Sequence, residues 1–131
     1  MDSSSQWIRV VPMLCIMGTI FFLSHQPGDT FDSVLFFPGE DKIAHFTIYF
    51  LLGWSVIYAC GWHKGAARVK RCGVVTISIC LLYGLSDELH QYFIPGRSTS
   101  LADLVADFCG AGVAVLTWLQ ALKRKAGKKN Y

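Results

Sequence analysis

Four apolar stretches, each close to the length that crosses a lipid bilayer, dominate the chain: about Ile8 to Leu23, Ile43 to Cys60, Cys72 to Leu85 and Leu101 to Leu122. A crossing takes about 20 apolar residues in a helix, because the bilayer core offers no water to backbone N–H and C=O groups and a helix satisfies them within one segment. The third stretch is short, but its helical pattern continues through Ser86 to Phe93. With 53% apolar and only 16% charged residues, the composition is not that of an ordinary soluble domain. The expected fold is therefore all-α: one bundle of four transmembrane helices occupying residues 1–131, with spans at about 8–23, 43–60, 72–92 and 101–122.

Charge sorts along this chain. Lys64, Arg68, Lys70 and Arg71 separate spans two and three, and Lys123, Arg124, Lys125, Lys128 and Lys129 follow span four, so nine of the twelve basic residues occupy two segments. The positive-inside tendency assigns both segments, and with them both termini, to the cytoplasm. Every acid except Asp2 then falls on the opposite side. The net charge of +3 arises from the basic loop and tail, where it implies topology and contact with anionic lipids rather than nucleic-acid binding. No interleaving of basic and aromatic residues points to RNA or DNA. Trp62 and Trp118, near span ends, are the best candidates for interfacial anchors. No small-x-small site follows the first apolar stretch, so it is expected to remain as a span rather than be cleaved. Cys15, Cys60, Cys72, Cys80 and Cys109 lack metal or disulfide spacing and read as small apolar fillers. There is no repeat of useful length, no phosphate-binding glycine loop and no G-x-S-x-G elbow.

Against this apolar background, polar residues gather at the outward ends of the spans, where ionisable groups are costly unless they face one another or water. Asp41, Lys42 and His45 open span two, with Asp41 and His45 four apart and Lys42 and His45 three apart, on one helical face that Tyr49 continues inward. Capping by Asp41 and snorkelling by Lys42 explain those two equally well. His45 lies one turn inside, and its imidazole carries protons near neutral pH. At the end of span three, Glu88 lies three and Asp87 four residues from Gln91, so at least one carboxylate shares a face with the amide; Glu88 is expected to pair with Gln91, while Asp87 and His90 read as a solvated helix end. Glu88, in partly desolvated surroundings, suits acid–base work with His45.

Pro95-Gly96 is a turn signal, and Ser98-Thr99-Ser100 offers a start for the fourth helix. Arg97 is the only arginine expected on the outer side, and its planar guanidinium suits an anionic headgroup, with Ser98 assisting. Ser100 and Asp103 match a helix-capping pattern. Asp107, one turn deeper on the same face, is too deep for capping and is expected to be protonated or paired, with Lys42 or Arg97 as its partner. Ala106, Gly110, Ala111 and Gly112 present small residues for close helix packing. Asp103, Asp107 and Glu88 with His45 or His90 would also offer a divalent metal hard oxygens and one imidazole, although no spacing here is diagnostic.

In their order and placement, these fragments resemble the VanZ-like family of bacterial membrane proteins: Ser24-His25-Gln26-Pro27, Asp41-Lys42-x-x-His45-Phe46, Ser86-Asp87-Glu88-x-x-Gln91-x-Phe93, Pro95-Gly96-Arg97-Ser98, then Leu101-x-Asp103 and Gly110. The family pattern usually has Asn where this chain has Asp107. The resemblance implies a multi-pass protein of the bacterial cytoplasmic membrane and, through one relative, a link to resistance against the glycopeptide teicoplanin. It supplies no reaction, and nothing in these residues supports the soluble phosphotransbutyrylase label that some members carry.

Read together, the residues suggest an outward polar pocket for an anionic lipid or lipid-linked envelope precursor. His45 and Glu88 are the candidate catalytic residues; Asp41, Lys42, Gln91, Arg97, Ser98, Asp103 and Asp107 are the candidate binding residues. The alternatives are a non-enzymatic protein shielding surface precursors through Phe31, Phe36, Phe37 and Tyr92, and an ion- or proton-coupled carrier. The carrier ranks last because no polar set in the inner half completes a route.

Overall fold

The computed structural model describes residues 3–31, 39–61 and 65–127. Among these residues it is all-α, with helices α1 (Ser3–Ser24), α2 (Glu40–Cys60), α3 (Ala66–Gln91) and α4 (Leu101–Gly127), and a 3-10 turn over Gly28–Phe31. All four long helices are long and apolar enough to cross a membrane. Their outer faces agree with that reading, because large apolar side chains such as Phe22, Leu82 and Leu116 lie exposed on them. Lipid tails are the environment that such faces tolerate over a whole bundle.

α3 starts well before the apolar run at Cys72, so Arg68, Lys70 and Arg71 lie within the helix. Arginine and lysine are good helix formers, and nothing after Gly65 interrupts the pattern. At the other end of α3, the Arg97 N–H donates to the Ile94 carbonyl at 3.2 Å. Pro95 and Gly96 occupy the centre of this turn, with Gly96 at φ 75°. Pro at the first central position and a positive-φ glycine at the second define a type II turn, which folds α4 back along α3.

The most extensive interface joins α2 to α4. Gly53 packs against Ala111 and Ala114, and Gly110 lies against the Phe46 carbonyl of α2. Small residues let two helix backbones approach, and in lipid that packing takes over the role hydrophobic burial has in water. Gly112, expected on the same surface, has no neighbour among the described residues within 4 Å of where a side chain would begin and takes no part in it.

The interior divides into a layer around Ile20, Tyr49, Leu52, Val56, Cys80 and Ala111 and a second around Ile57, Cys72, Ala114 and Trp118. Trp118 is thus a core residue, 1% exposed, and not an interfacial anchor. It continues the helical row of Ala111 and Ala114 that faces α2, so its position on the helix outweighs its nearness to the helix end. Trp62 lies outside the described residues, whereas Trp7 is 75% exposed and suits the interfacial role. Cys15, Cys60, Cys72, Cys80 and Cys109 are all free, with Cys72 and Cys80 buried as small fillers.

Candidate functional site

The polar residues converge because α1 and α3 finish at the end of the bundle where α2 and α4 begin. On α2, His45 Nδ1 lies 2.9 Å from Asp107 Oδ1 of α4. With Asp107 ionised and the ring neutral, the ring donates from Nδ1 and keeps a lone pair on Nε2. Asp107 is 1% exposed. Its partner is therefore His45, not the expected Lys42 or Arg97, because His45 is the basic group one turn down α2, at the depth Asp107 reaches on α4. Asp107 Oδ2 has no hydrogen-bond partner among the described residues and stands 2.8 Å from where a Cβ on Gly84 would be. Gly84 of α3 makes room for this carboxylate, a role the sequence did not reveal. The His45 and Tyr49 rings lie nearly parallel, 7° apart, and Tyr49 is fully buried.

Lys42 bridges the two helices one turn nearer the end. Its Nζ lies 2.8 Å from Asp41 Oδ2 and 3.1 Å from Asp103 Oδ1. Asp103 thus serves Lys42 rather than completing the cap of α4. Ser100 Oγ accepts from Ala102 N–H at 3.2 Å, and the Ser100 N–H donates to Glu88 Oε2 at 2.9 Å. Glu88 takes the place that an acidic residue of the capping pattern fills, and this bond ties the end of α3 to the start of α4.

The expected pair of Glu88 with Gln91 does not form. Gln91 Nε2 donates instead to Asp87 Oδ2 at 3.1 Å and to Ser24 Oγ at 3.2 Å. The four-residue spacing stacks Asp87 beneath Gln91 on the face turned to α1, while Glu88 points toward α4. Asp87, expected at a solvated end, is 6% exposed and belongs to the site. His90 packs with His25 of the α1 end, ring nitrogens 3.2 Å apart, and stays outside the cluster.

Arg97 Nη2 donates to the Leu23 carbonyl at 2.7 Å and Nε to the Gln26 carbonyl at 3.2 Å. The guanidinium thereby caps the last turn of α1, where helix carbonyls lack partners. Gly28 N–H donates to the Pro95 carbonyl at 3.2 Å, and Gly28 touches Gly96, so the segment after α1 locks onto the α3–α4 turn. Ser98 is exposed on that turn. Tyr92 is exposed as well, while Phe36 and Phe37 and the side chain of Phe31 lie outside the described residues.

A cavity of about 440 Å³ lies among α1, α2 and the end of α3. Apolar Ile20, Leu23, Ala44 and Ile48 line it together with polar Ser24, Asp41, His45, Asp87, Gln91 and Arg97. Leu23, Ala44 and Thr47 are also exposed on the bundle surface, so the cavity rim reaches the exterior. Its volume is that of a small-molecule site, about 300–1,000 Å³.

An uncharacterised protein of the fission yeast Schizosaccharomyces pombe is 34% identical over 117 residues, covering 88% of this chain and 68% of the relative. A eukaryotic relative means that kinship alone does not place the chain in a bacterial membrane. No solved structure matches the chain. The match to the VanZ/LLP1 family runs over residues 9–123. That stretch takes in most or all of each of the four spans and every residue of the polar end, and on this evidence the chain is a membrane protein of the VanZ/LLP1 family.

Proposed function

We propose that the cavity binds the polar head of a membrane amphiphile, an anionic lipid or lipid-linked molecule, at the outward end of the bundle. The observation that carries this reading is a cavity lined by apolar residues together with ionisable and hydrogen-bonding ones, its rim reaching the exposed surface of the bundle. An acyl or isoprenoid chain leaves along Ile20, Ile48 and Leu23, while the head meets Arg97, His45 and Gln91. The outward placement follows from the basic segments at the opposite helix ends. Ile48→Trp fills the cavity, whereas Leu116→Trp alters an exposed apolar face elsewhere. Native mass spectrometry of the purified proteins is expected to find a phosphate-bearing lipid on the wild type and Leu116→Trp, and none on Ile48→Trp. The same lipids in equal amounts on all three would overturn the proposal.

The approach of His45 to Glu88 favours a second, catalytic reading, in which the two move a proton on the bound head. His45→Gln is then expected to retain a bound molecule that the wild type converts. Identical molecules on both proteins would remove this reading and leave binding intact.

A further inference from the structure

Three ligating groups from three helices meet beside the cavity. A ring nitrogen of His45 (α2) and carboxylate oxygens of Glu88 (α3) and Asp103 (α4) all lie within 4.8 Å of one another. That spacing matches a shared ion, because ligands at about 2.0–2.4 Å from a cation stand roughly 3–5 Å apart. We propose that His45, Glu88 and Asp103 hold a divalent transition-metal ion, Mn²⁺ or Zn²⁺, with Asp107 orienting His45.

Three further observations point to a cation. Glu88 Oε2 accepts from Ser100, but Oε1 is buried and has no hydrogen-bond partner among the described residues. A buried carboxylate oxygen without a donor is costly, and an ion between the helices satisfies it. The charge balance agrees: Asp41, Asp87, Glu88, Asp103 and Asp107 crowd this end, against Lys42, Arg97 and His45. Excess carboxylate in a partly desolvated space calls for positive charge. Finally, the His45 Nδ1 to Asp107 contact of 2.9 Å is the arrangement in which a carboxylate fixes the tautomer of a metal-binding imidazole.

One imidazole and two carboxylates from rigid helices fit a first-row ion better than Ca²⁺, which takes six to eight oxygens. Lys42, 3.1 Å from Asp103 Oδ1, is the internal competitor. Its side chain is 42% exposed and also reaches Asp41, so it can yield Asp103 to an ion while keeping one partner. The site does not depend on lipid in the cavity. It does compete with the catalytic reading, since a metal occupies the lone pair that would accept a proton.

The test uses the purified full chain in detergent, stripped with chelator and titrated with Mn²⁺ by electron paramagnetic resonance and with Zn²⁺ by calorimetry. One ion per chain is expected, with imidazole nitrogen coupling on the bound Mn²⁺ that disappears in His45→Gln. Asp103→Asn and Glu88→Gln are near-isosteric and should weaken binding by about tenfold or more, as should Asp107→Ala, which removes the orienting bond. Leu116→Trp, on an exposed apolar face elsewhere, should leave affinity unchanged, and Lys42→Met should tighten it. Ile48→Trp should lose lipid yet keep metal, which separates failure of the metal site from failure of the lipid reading. Absence of stoichiometric binding by the wild type would overturn the proposal, as would binding that survives both Asp103→Asn and Glu88→Gln. Binding by Lys42→Met alone would also overturn it, by showing that the lysine is the resident cation.

Discussion

Gly110→Ala is expected to destabilise the bundle by at least about 3 kcal/mol, the upper end for overpacking a close-packed interior. The added Cβ would press on the Phe46 carbonyl and stand 2.9 Å from the Phe50 nitrogen. Both are backbone atoms of α2, so no side-chain rotation relieves the contact and α2 must move away from α4. That movement opens the most extensive interface of the bundle and shifts His45 relative to Asp107, which the same two helices carry. Gly112→Ala is the matched control. Among the described residues nothing lies within 4 Å of its added carbon, and alanine favours a helix over glycine by up to about 1 kcal/mol. Unfolding of both variants in mixed micelles with SDS, followed by circular dichroism, measures the difference. Equal stability of the two would mean that α2 and α4 do not pack as described.

Loss of His45 should have the next largest effect. His45→Ala leaves the Asp107 carboxylate buried without its donor, and breaking one side of a buried charge pair costs about 3–5 kcal/mol. Asp107→Asn should cost at most about 1 kcal/mol, because an amide oxygen still accepts from Nδ1 and no charge remains to be buried. The double variant His45→Ala with Asp107→Asn is expected to be more stable than His45→Ala alone. This recovery identifies the stranded charge, rather than lost packing, as the cause. The same SDS titration measures all three, and a His45→Ala protein within about 1 kcal/mol of wild type would show that the pair does not carry the stability assigned to it.

Much of the polar end was legible because helical spacing is a local property. Asp41, Lys42 and His45 share a face by their separations, as do Asp103 and Asp107, and the structure brings these two faces together through Lys42 and His45. Partner choice was not legible. Whether Gln91 turns to Asp87 or Glu88 depends on how α3 is rotated between α1 and α4, and three- and four-residue spacings are nearly equivalent on an isolated helix. The donors of Arg97 go to Leu23 and Gln26, carbonyls more than seventy positions earlier, as the separations of 74 and 71 record. Gly84 left no signal at all, since its function is the space it leaves for Asp107.

By itself, the sequence determined four helices that can cross a membrane and the segregation of charge to their ends, because both follow from length, hydropathy and the cost of unpaired backbone in lipid. It also determined the type II turn at Pro95-Gly96, whose conformation is set by the two residues themselves. Only the tertiary structure decided that Trp118 is core, that Asp87 is buried, that Asp107 belongs to His45, and that His45, Glu88 and Asp103 meet. Those outcomes depend on the rotation and depth of one helix against another. In lipid, that fit is set by the contact of small residues and the pairing of buried polar groups across helices, and neither is a property of any one segment.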